Sequence, residues 1–166
     1  MYVDSNKERL RMAYVSQKMK RAKAPAIKAV LKKYNIKGTI SVDNHSSLVV
    51  TLTEGKMDFI GEANRFNREY AERHGQRFFP VEGNYEVNTY HLDTQYKGKM
   101  RSFFKELLAA MRGTDWFDNS NSMIDYFHIA FYTDINVGRW NRPYVCTGRA
   151  ADGTVNGVAE ENYTFA

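Results

Sequence analysis

Between Ile27 and Thr53 the apolar pattern changes its period, and this constrains the fold more than any other stretch. Ile27, Val30, Leu31 and Tyr34 fall at i, i+3, i+4 and i+7, one face of a helix. "TISV" (39–42) and "LVVTLT" (48–53) then alternate and are rich in β-branched residues, with the turn-forming "DNHSS" (43–47) between them. A helix followed at once by a hairpin excludes an all-α or an all-β chain. In the second strand Leu48, Val50 and Leu52 point one way and Val49, Thr51 and Thr53 the other.

Elements of both kinds flank this segment. Asp4 or Ser5 can cap a first helix, and Pro25 is expected to break the pattern and open a second at its first turn. That second helix is expected to end near Asn35 and Gly38. Ala63 to His74 reads as an amphipathic helix with Phe66 and Tyr70 on one face, stopped by Gly75. "YEVNTYHLDTQY" (85–96) alternates loosely and predicts an edge strand. Lys99 to Met111 carries a continuous stripe of Met100, Phe103, Phe104, Leu107, Leu108 and Met111, and Gly113 stops it. Residues 126–140 predict a long strand bulged at Gly138, and "YVCTG" (144–148) is expected to pair back. The expectation is one α+β domain over 1–148, with an antiparallel sheet of four or five strands packed against three or four helices. Residues 149–166, with Gly153, Gly157 and the pair Glu160/Glu161, read as a loosely ordered tail.

Charge is distributed unevenly. Residues 1–37 carry eleven Lys/Arg against two acids, a net +9, whereas the other 129 residues carry thirteen against seventeen, a net −4. No acid stands between Glu8 and Asp43, so ion pairing along the helix does not balance its cations. Such asymmetry favours a polyanionic partner, with nucleic acid first and an acidic protein surface or an anionic membrane after it. The candidate phosphate contacts are Lys18, Lys20, Arg21, Lys23, Lys28, Lys32 and Lys33, which would set affinity without reading sequence. Solvated lysines on an ordinary amphipathic helix are the competing reading. Asn44, His45 and Ser46 at the hairpin tip, and Arg139 and Arg142 interleaved with Trp140 and Tyr144, are candidate additions to the surface. Plain turn chemistry, and a Trp140 packed on the core, are their structural alternatives.

Catalytic signatures are scarce. His91, Asp93, Asp125, His128 and Asp134 would make a metal or acid–base site only if the fold joined them. The chain holds no H-E-x-x-H, no paired C-x-x-C, no G-x-S-x-G and no Walker-type phosphate loop. Neither a cofactor nor a metal is expected. The single Cys146 forms no internal disulfide and fits a reducing compartment. No apolar run approaches the ~20 residues that span a bilayer, so no membrane partner is expected.

The stretch "AYVSQKMKRAKAPAIKAVLKKYNIKGTISVDNHSSLVVTLTEGKMDFI" (13–60) resembles a domain family of tailed bacteriophages and mobile elements, the large-polyvalent-protein-associated type. "APAIKAVLKKY", "KGTISVDNHSSLVV" and "GKMDFI" carry the resemblance. "SMIDYFHIAFYTDINVGRWNRPYV" (122–145) is similar to the closing segment of the same family. It implies a phage context inside a bacterial host and supplies no catalytic residues. The combined expectation is a non-enzymatic phage-type accessory protein that binds nucleic acid, DNA ahead of RNA, during host takeover. It would act in the host cytoplasm or be carried in the virion. The alternative is a phage protein that binds and inhibits a host defence, transcription or replication factor, or a virion component. A metal-dependent nuclease or hydrolase built on His91, Asp93 and His128 ranks last.

Overall fold

A computed structural model describes residues 13–121, 123 and 128–148. The expected caps Asp4 and Ser5, together with Asp125 and the tail 149–166, lie outside the described residues.

The first helix, α1 (Gln17–Lys33), opens at Ser16, whose side chain accepts from the Met19 N–H at 3.1 Å. Pro25 lies inside it rather than at its start, which corrects the expected break. A proline removes one backbone bond and crowds the preceding turn. Ile27 and Leu31, both buried on the core, hold the helix through that defect. Pro25 itself is exposed. Pro25→Ala should therefore raise stability by about 1–2 kcal/mol, the restored bond outweighing the freer unfolded chain. Denaturant unfolding checks this, and a lowered midpoint would show that the proline sets the helix path. Asn35, at φ 55°, ends the helix in the left-handed conformation, as the sequence suggested.

Strands β1 (Ile36–Asp43) and β2 (Ser47–Gly55) form the expected antiparallel hairpin, with Ile40 opposite Val50 and Val42 opposite Leu48. Asn44 and His45 at its tip both have positive φ, 51° and 55°, and the Ser46 N–H donates to the Asp43 carbonyl. Two left-handed central residues match the right-handed twist of paired strands.

Helix α2 (Phe59–Arg73) starts four residues before the expected Ala63, because Asp58 caps it by accepting from the Gly61 N–H at 3.0 Å. The expected strand over 85–96 shrinks to β3 (Tyr85–Glu86). The Asn88 side chain accepts from the Tyr90 N–H and turns the chain, and the single helical turn α3 (Leu92–Gln95) follows. Helix α4 (Gly98–Arg112) buries all six residues of its predicted stripe, and Gly113 ends it at φ 73°.

The long strand expected over 126–140 is shorter, β4 (Tyr132–Val137). Residues ahead of it pair elsewhere: Asn119 donates to the His128 carbonyl and Ala130 to that of Phe117. Gly138 closes the strand at φ 67°, where a Cβ would meet the Gly83 carbonyl oxygen at 2.5 Å. The final strand, β5 (Val145–Cys146), pairs with β2 and not with β4 as expected. Tyr144 causes this. Its ring is buried and its hydroxyl donates to the Met57 carbonyl at 2.8 Å, carrying the chain to the end of β2.

The sheet runs β1-β2-β4-β3 with β5 beside β2. The α+β class, with five strands and four helices among the described residues, agrees with the expectation. The sheet is mixed rather than wholly antiparallel: β4 and β5 each run parallel to β2. The long connection from Gly55 to Tyr132, containing α2, α3 and α4, has the length a parallel return needs. Leu48, Val50, Leu52, Ile135 and Val137 share one core with Ile27 and Leu31 of α1 and the α4 stripe.

Candidate nucleic-acid interface

On a helix of 3.6 residues per turn, Lys18, Arg21, Lys28 and Lys32 fall in one row, spaced i, i+3 or i+4 with Pro25 between. All four are exposed and lie off the stripe of Ile27 and Leu31 that enters the core. The row extends about 21 Å at 1.5 Å per residue. None of the four forms an ion pair among the described residues.

The other predicted cations of α1 are used differently. Lys20 is half-buried on the flank. Lys23 turns inward: its side chain is 13% exposed, and its ammonium donates to the Arg112 carbonyl at 2.8 Å and pairs with Asp115 at 3.5 Å. It also sits 5.3 Å from the centre of the Phe131 ring. This removes Lys23 from the candidate surface. It is a strut between α1 and the end of α4, held where an apolar wall and a free carbonyl meet. Lys33 is 62% exposed but bound to Glu106 at 2.6 Å. The Tyr34 hydroxyl donates to the same carboxylate. Burial, then Glu106, pushes the Tyr34 phenol up to about 12, while Lys33 and then Tyr34 hold the Glu106 carboxyl below its usual range.

The hairpin tip meets the row at its first turn. The Val15 N–H donates to the His45 carbonyl at 2.8 Å, which places Asn44 and His45 beside the start of α1. Arg139 and Arg142 do not join them. They bond each other's backbone across a tight turn after Gly138, whose N–H donates to the Leu52 carbonyl. That is five residues along β2 from Ser47, about 17 Å at strand rise. Trp140 in this turn is 85% exposed and does not pack on the core.

Two cations invisible to the sequence reading extend the surface at the other end of α1. A groove of about 620 Å³ is lined by Lys33, Asn35, Lys56, Lys99 and Ser102 among others. Lys56 follows β2 and Lys99 opens α4, so only the tertiary fold brings them beside Lys33. No short-range sequence signal marks them.

The dispersed His/Asp set stays dispersed. Asp93 pairs with Lys105 at 2.8 Å, the contact that chiefly lowers its pKa, and with Arg101 at 3.8 Å. His91 precedes α3, its main-chain carbonyl accepting from the Thr94 and Gln95 N–H groups with no capping bond from its side chain, and His128 packs edge-on against Phe117. Asp134 lies in β4 opposite Val49. Among the described residues no group of three or more His, Cys, Asp or Glu could hold a metal ion. Among them, too, no helix is long and apolar enough to cross a membrane.

Fold and surface together define a small α+β domain with a mixed sheet and one strongly basic helix face. Comparison with protein-family models, curated proteins and solved structures finds no match to this chain.

Proposed function

We propose that this protein is a non-enzymatic accessory factor that binds the backbone of nucleic acid, DNA ahead of RNA, through the outer face of α1. The observation that carries the reading is the row Lys18, Arg21, Lys28 and Lys32, exposed and without acidic partners among the described residues. A solvated helix face laced with ion pairs alternates its charges. This one presents a single sign over about 21 Å, the length of roughly six phosphates along one duplex strand. Asn44 and His45 would add polar contacts at one end, and Lys56, beside the Glu106-bound Lys33, a cationic one at the other. Backbone contacts of this kind position a protein without reading bases. The setting, takeover of a bacterial host by a phage with the protein in the host cytoplasm or virion, comes from the resemblance of 13–60 and 122–145.

The exposed Trp140, flanked by Arg139 and Arg142, favours a second reading, an inhibitor or virion component that docks on a protein. Anisotropy titration with a labelled 30-base-pair duplex, and with single-stranded DNA and RNA, separates the two. Four phosphate contacts give a log–log salt slope of about −3 to −4. Absence of binding at low salt would overturn the nucleic-acid reading and leave the protein-docking one.

A further inference from the structure

A second cavity, of about 370 Å³, opens between β4 and the chain from Glu86 to Tyr90. Arg112, the last residue of α4, lines it. The Nε of Arg112 is buried without a hydrogen-bond partner, and its guanidinium carbon lies 3.9 Å from the centre of the Trp116 ring. It forms no ion pair among the described residues. Burial pushes its pKa down. Asp118 acts on this guanidinium only from beyond ion-pair distance, and a partly desolvated guanidinium that no carboxylate pairs with directly is costly; native folds usually complete such a group.

The rest of the lining narrows what could complete it. Asp134 and Glu86 stand on the same walls. Burial first, then Glu86 and Asp43, raises the Asp134 pKa. Two carboxylates against one guanidinium leave the cavity net negative when all are charged, so a phosphate or a simple carboxylate is disfavoured. The lining suits a neutral planar molecule that offers acceptors to a fork of N–H donors and donors to a carboxylate. Tyr90 and Tyr132, both exposed, place rings at the same cavity for stacking. The cavity is large enough for one heterocycle.

We propose that this cavity takes a single unstacked guanine base, with Arg112 donating to its O6 and N7 and Asp134 accepting from its N1–H and N2–H. Guanine is the base that offers a two-acceptor edge and a two-donor edge together. The choice of a nucleobase among such heterocycles rests on the nucleic-acid reading above. Lys23 ties the two regions together, since it anchors α1 to the Arg112 carbonyl.

Calorimetric titration with GMP and with AMP tests the proposal, because a free mononucleotide cannot span the α1 row. GMP should bind at least about tenfold tighter than AMP, the discrimination one good bidentate pair supplies. Arg112→Lys keeps the charge but loses the fork and should weaken GMP at least about tenfold. Asp134→Asn, nearly isosteric, should compress the GMP preference. Equal affinities, or no heat from either nucleotide with folded protein, would overturn the cavity assignment. Changing Lys18, Arg21, Lys28 and Lys32 should leave the GMP preference intact. Loss of duplex binding alone in that variant concerns α1 and not the cavity.

Discussion

Exchanging Lys18, Arg21, Lys28 and Lys32 together for Gln should weaken duplex binding by about 100-fold at 50 mM salt and remove most of its salt dependence. The size follows from counterion release. Four contacts give a slope near −3.6, so raising salt from 50 to 200 mM already removes about two decades of affinity. Removing the four cations should have a comparable effect. The fold should survive, because all four side chains are exposed and Gln is close to Lys and Arg as a helix former. Lys32 lies in the last turn, so its loss forfeits a few tenths of a kcal/mol of helix-dipole stabilisation. Lys23 must be left unchanged, since its ammonium is tied to Arg112 and Asp115 inside the structure. Anisotropy across salt concentrations, with a thermal melt of the same sample, is the measurement. Unchanged affinity in a folded variant would refute the α1 surface.

Phe59→Ala should lower stability by about 3–5 kcal/mol, a large part of the ~5–15 kcal/mol that holds a domain of this kind. Phe59 is fully buried at the start of α2. Its ring centre lies 5.7 Å from that of Phe103, 5.1 Å from Phe104 and 5.2 Å from Tyr144. It thus links α2, the stripe of α4 and the segment that delivers β5. Truncation leaves a void that none of these can fill, because each is held from its own element. Tyr144 is fixed by its bond to Met57, and Phe103 and Phe104 by the helix. Urea unfolding reads the loss directly. A change below about 1 kcal/mol would mean that the core collapses around the void, contrary to the packing described.

Much of the helical framework is legible locally. The α4 stripe, the hairpin and the left-handed stop at Asn35 each follow from a few adjacent residues. The errors cluster where a distant contact overrides the local signal. Pro25 reads as a boundary, but burial of Ile27 and Leu31 outweighs one lost bond. Residues 128–130 alternate like a strand, yet 117–119 take their hydrogen bonds. The candidate site divides in the same way. The cationic character of α1 is a property of composition, whereas the inward turn of Lys23 depends on a carbonyl 89 residues away.

The sequence by itself determined the α+β class, the hairpin and the one-sided charge of α1. Each depends on periodicity or composition within a single element, and that information is carried by neighbouring residues. Only the tertiary structure decided that β4 and β5 run parallel to β2, that Arg139 and Arg142 stand apart from Asn44 and His45, and that Lys56 and Lys99 border the groove beside Lys33. It also decided that Arg112 meets Asp134 at one cavity. The reason is that these pairings join residues far apart in the chain. Nothing local distinguishes them until the shared core of α1, α4 and the sheet selects one arrangement.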